Sequence, residues 1–156
     1  MQHVRMTEKS LWDGIGSRSV TSAGEKAVHQ ILVPFPVAYF TAALATDLVY
    51  WETAEVMWQN FSVWLITAGL IMAGLVVIAA VVDLASGKHK PAWLRAAGYA
   101  LAVLLSLINV FVHSRDAYTA VVPTGLTLSV LVVVILLAMA PAGWALTSPR
   151  RIGADT

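Results

Sequence analysis

In a chain that is 58% apolar and 12% charged, few residues can do chemistry, and the helical repeat sorts them into groups. His29 and Asp47 stand eighteen positions apart, roughly five helical turns or about 27 Å. On a continuous helix they share one face and belong to opposite ends. Ser106, Asn109 and His113 recur at spacings of three and four, so they line one face of another helix. Asp83, followed by Lys88, His89 and Arg95, forms a third group. A cluster of Asp47, Asn109 and His113 could relay protons or bind a polar group, since a carboxylate makes a neighbouring imidazole more basic. The plainer account is a hydrogen-bond clamp between helices, worth about 0.6 kcal/mol per bond in a membrane. For Asp83 the plain expectation is an ion pair with Arg95 or Lys88.

Other chemistries lack their residues. The chain has no cysteine, hence no disulfide, thiolate metal site or thiol nucleophile. It contains no Gly-rich phosphate loop, HExxH, GxSxG or CxxC. In the Asp83 group no two ligands stand at the i, i+4 spacing that would mark a metal site, and none is expected. No nucleophile–base pair or matched carboxylates point to a catalytic activity of its own. Haem b is a candidate cofactor at His29 or His113, but not at both together. Two axial histidines must lie at one depth on facing helices, and these two belong to opposite surfaces. His29 with His89 would require the intervening loop to fold back.

These residues are embedded in four apolar runs, at about Ile31 to Tyr50, Phe61 to Leu84, Trp93 to His113 and Pro123 to Leu146. Each is about the 20 residues needed to cross roughly 30 Å of hydrocarbon. Soluble domains are only about 45–50% apolar, and a chain of this size could not hide the excess from water. The expected fold is therefore all-α, an integral membrane four-helix bundle. Pro91 and Pro123 sit where the third and fourth helices should start, a position at which the missing N–H costs nothing. Tyr50, Trp51 and Trp58 mark one interface, and Trp93 and Trp144 the other. Pro34 and Pro36 free the carbonyls of Gln30 and Leu32, predicting a kink or break beside His29. Small-xxx-small pairs, Gly69 with Ala73, Gly125 with Ser129 and Ala138 with Ala142, would let backbones approach closely.

Orientation follows from the basic residues. Arg5, Lys9, Arg18 and Lys26 precede the first run, Lys88, Lys90 and Arg95 surround the second connection, and Arg150 and Arg151 close the chain. Arg115 is the one of ten Lys and Arg residues on the other side, so the positive-inside rule predicts N-in/C-in. Three regions result: a polar cytoplasmic leader over 1–27, a transmembrane domain over 28–147 and a basic cytoplasmic tail over 148–156. Lys26, the first apolar run and Ala43-Leu44-Ala45 also imitate a cleavable signal peptide. The long acid-containing leader and the prolines argue against that reading.

The first helix carries a resemblance. His29-Gln-Ile-Leu-Val-Pro-Phe-Pro-Val-Ala, then Thr46-Asp47-Leu-Val-Tyr-Trp51, resembles a bacterial membrane-protein family, domain of unknown function 2231. It continues through Met57-Trp58 and Asn60-Phe61-Ser62-Val63-Trp64 to Asp83 and Asn109, covering about residues 28 to 146. Gln30 stands where the family usually has proline, and the tail lacks the family's frequent His-Gly-Val-Gly ending. The resemblance implies a four-helix bundle in the bacterial inner membrane and an association with redox proteins, without a settled activity.

Two functions of different class are expected. One is an accessory or anchoring subunit of a membrane complex, in its sharper form a redox complex with a haem or quinone. The alternative is a small proton-coupled transporter or channel using Asp47, Asp83 and His113, which a four-helix chain could build only as an oligomer. The partners are then the lipid bilayer and either further copies or a larger membrane complex, with no nucleic acid.

Overall fold

The computed structural model describes residues 27–87, 89–115 and 121–149. Lys88, most of the leader and Arg150 and Arg151 lie outside them. Helix α1 (Val28–Leu32) leads through Val33 into α2 (Pro34–Thr53). Helix α3 (Val56–Ala85) follows, then strand β1 (His89–Pro91) and helix α4 (Trp93–His113). An irregular helical entry, Val121–Gly125, opens into α5 (Leu126–Met139), a tight turn at Ala140–Ala142, and strand β2 (Thr147–Pro149). Four helical stretches, Val28–Thr53, Val56–Ala85, Trp93–His113 and Val121–Met139, are long and apolar enough to cross a membrane.

The four spans share one packing rule. Buried positions alternate between steps of three and four: His29, Val33, Pro36, Phe40, Ala43 and Asp47 in the first span. In α3 they are Gln59, Ser62, Ile66, Gly69, Ala73, Val76, Ala80 and Asp83. In α4 they are Tyr99, Ala102, Ser106, Asn109 and His113, and from Gly125 the last span adds Ser129, Val132, Leu136 and Met139. A repeat averaging 3.5 residues is that of a left-handed bundle with interlocking side chains. Small residues on these stripes set the close approaches. A side chain at Gly69 would stand 2.6 Å from the Phe40 ring, so α2 and α3 meet there with nothing between them but that ring.

The middle of the bundle is apolar, built around Phe40, Ile66, Val76, Ala102, Val132 and Leu136. The outside is apolar as well: Trp64 is 69% exposed, Phe111 62% and Ile78 61%. Lipid is the solvent for which such a surface is made.

Boundaries depart from the apolar runs where local chemistry intervenes. The first connection contracts from the expected Trp51–Asn60 to Ala54 and Glu55, because both helices run on beyond the apolar stretch. Ala54 takes the left-handed conformation (φ 54°), and its N–H donates to Tyr50 O. The prolines produce only a local irregularity, since Val33 stays helical and its N–H still reaches His29 O at 3.0 Å. The largest difference is in the fourth helix, which stops at Met139 rather than about Leu146. Pro141 withholds the N–H that would continue it, and Gly143 and Trp144 turn the chain in left-handed conformations. The Trp144 indole then donates to Leu136 O, capping a carbonyl that the tightened last turn leaves free. The returning segment pairs antiparallel with β1, Lys90 opposite Ser148, and closes one end of the bundle.

Candidate functional site

The stripes bring the polar residues together in two buried clusters, one at each end. At one end, Asp47 near the close of α2 meets His113, the last residue of α4, with Nε2 to Oδ1 at 2.9 Å. Both side chains are fully buried. Ser62 of α3 lies within hydrogen-bond reach of Asp47 Oδ1 and of Ala43 O. Ser129 of α5 donates to Asp47 Oδ2 and accepts from Asn109 Nδ2 at 2.8 Å. Gln59 Nε2 donates to His113 O. Every span thus contributes to a single network.

The partners fix where the protons are. Asn109 O can only accept, so His113 Nδ1, 3.0 Å away, carries a hydrogen. One further proton lies between Nε2 and Asp47 Oδ1. The pair is therefore either imidazolium with carboxylate or imidazole with carboxylic acid, and in both forms it is neutral overall. Such sharing makes a carboxyl group tolerable in a dry interior, where an unpaired charge would be prohibitive.

At the other end, His29 Nδ1 lies 2.7 Å from Asp83 Oδ2, and the His29 backbone N–H also reaches that oxygen at 3.3 Å. His29 Nε2 accepts from Leu146 N–H at 3.1 Å. An accepting Nε2 has no hydrogen, so His29 is the Nδ1–H tautomer and donates to Asp83. The carbonyl of Leu146 accepts from Ala92 N–H, so this histidine anchors both the segment after α5 and the start of α4.

The two clusters differ from the sequence expectations in instructive ways. Asp47, Asn109 and His113 come together, with Asn109 acting through Ser129. Asp83 does not pair with Arg95: the close acid–base contacts among the described residues are His29–Asp83 and His113–Asp47. The stripe of α3 turns Asp83 inward onto His29 of the first span, and Arg95 is half-buried. Ser62, Gln59 and the Leu146 N–H join these clusters without being singled out by sequence reasoning. Ser62 and Asp83 stand twenty-one positions apart, three heptads, and that phase is the available signal.

Neither histidine offers a ring nitrogen to iron. His29 engages Asp83 and Leu146, and His113 engages Asn109 and Asp47. Haem ligation at either position would first have to dismantle a buried network, so these residues do not fit that group.

The model of a family described as predicted membrane protein (DUF2231) matches residues 25–156. No curated protein and no solved structure matches the chain.

Proposed function

The chain belongs to the DUF2231 family of predicted membrane proteins, and from that premise we propose that it serves as an accessory or anchoring subunit of a larger bacterial inner-membrane complex. One observation carries this reading. The carboxylates and histidines on the inward stripes are consumed in two internal clamps, and the core between them buries no further charged or imidazole side chain among the described residues. A single bundle of this kind is a scaffold whose remaining asset is its lipid-facing surface. Helix association in lipid relies on side-chain packing, and Trp64, Ile71 and Phe111 present large side chains for it. A redox complex is the sharper form of the proposal, with the redox centre on the partner rather than on His29 or His113. The basic residues support an orientation with both ends in the cytoplasm.

A photo-crosslinking residue at Trp64 in native membranes tests the assignment. The expected result is a discrete heteromeric adduct at one mass. Exclusively lipid adducts would overturn it. Because the chain lacks cysteine, a single Cys at Glu55 also reports topology: labelling by an impermeant maleimide from the periplasm is expected, and protection would reverse the orientation.

A second reading is favoured by the proton between Asp47 and His113. In an oligomer, that pair could load and release a proton toward a neighbouring copy. Proton flux in proteoliposomes that disappears in Asp47→Asn would establish this reading in place of the first.

A further inference from the structure

Between α3 and α4 a groove of about 500 Å³ opens toward the bilayer. Along α4 it runs from Trp93 to Leu107, fourteen residues or about 21 Å. The groove is long and apolar enough to take a hydrocarbon tail. Its walls, among them Val77, Val81, Val103 and Leu104, are apolar throughout its length. It begins at the interfacial Trp93 and passes the midpoint of a roughly 30 Å core, the reach of one leaflet.

The polar features lie at one end. Tyr99 and Thr147 both line the groove, both are 2% exposed, and neither hydroxyl has a partner among the described residues. Buried hydroxyls without partners are uncommon and ask for a ligand. Side chains on a helix lean toward its N-terminus, which carries the Tyr99 ring from mid-groove toward Trp93. Lys90 and Arg95 flank the same end in sequence, one beside Pro91 and the other between Trp93 and Ala96.

We propose that this groove is a binding site for one anionic phospholipid. One acyl tail lies between α3 and α4, its ester carbonyl accepts from the Tyr99 and Thr147 hydroxyls, and its phosphate faces Lys90 and Arg95. The second tail stays in the bilayer. The site is independent of the subunit reading, since its occupancy is measurable on the isolated chain.

The test is native mass spectrometry of the detergent-purified protein titrated with palmitoyl-oleoyl phosphatidylglycerol. The expected result is one retained lipid per chain, weakened about three- to ten-fold in Tyr99→Phe and abolished in Ala100→Trp, which fills the groove from an exposed position. Circular dichroism must show both variants as helical as the parent. Equal retention in the parent and Ala100→Trp, or no retention at all, overturns the proposal. So does preferential retention of an isoprenoid quinone, which would assign the groove to a different ligand. Should Ala100→Trp not fold, the parent suffices: tail-brominated phosphatidylglycerol at one equivalent is expected to quench a fluorescence component that Trp93→Phe lacks. Identical quenching in the two proteins would refute tail binding.

Discussion

His113 shows how much can depend on one side chain in a dry interior. Its imidazole satisfies Asp47 and Asn109 O, and its own carbonyl accepts from Gln59. Truncating it in His113→Ala leaves the Asp47 carboxyl facing a void, and breaking a buried pair costs about 3–5 kcal/mol. Denaturant titration in detergent micelles should show that loss, with Asp47→Asn in the same background restoring part of it. Gly125 guards the same site by what it lacks. A Cβ there would stand 2.7 Å from His113 Cε1 and 3.1 Å from Nδ1. Gly125→Ala should therefore displace the ring and destabilise by about 1–3 kcal/mol, measured in the same titration. Asp47, Asn109 and His113 are legible as partners because each is a costly residue on an apolar helix, and cost marks position. Ser62 is not, since a hydroxyl is cheap enough in lipid-facing helices to pass for filler. The mate of Asp83 is hidden because sequence proximity favours Arg95, while the heptad phase favours His29.

At the scale of elements, the four spans are readable from apolar length alone, and α4 begins and ends where its run does. Apolar length does not tell inside from outside, because lipid and core select the same residues. Which face packs is marked only by small and polar residues at steps of three and four. Helix ends are also set by chemistry that hydropathy does not register. Pro141 ends α5 at Met139, about two turns before the apolar run does. Pro141→Ala should let the helix extend toward Leu146 and draw its N–H away from His29. The expected readout is faster amide hydrogen exchange at Leu146 with overall helicity equal to or above the parent's; unchanged exchange would mean that Trp144 and the strand pairing suffice to hold the turn.

For the whole molecule, the two clamps stand at opposite ends with Phe40, Ile66, Val132 and Leu136 between them. Sites that share no partner and are separated by more than about 7–10 Å contribute additively. Asp47→Asn and Asp83→Asn should therefore add within about 0.5 kcal/mol in the double variant. A coupling well above that, from the four-variant cycle, would show that strain passes through the core. The overall architecture is accessible from sequence because the bilayer permits few designs. The closing strand pair is not: His89–Pro91 and Thr147–Pro149 are three residues each and have no alternating pattern to announce them.

The bond from Leu146 to His29 spans 117 positions. At about 5–20 residues per second, the ribosome delivers the amide roughly 6–23 s after the imidazole it completes. Until then the second nitrogen of His29, at the end of the first span, is left to water. A chain ending before Leu146 lacks that donor, so the first span is tied to the closing segment only in copies that extend past it.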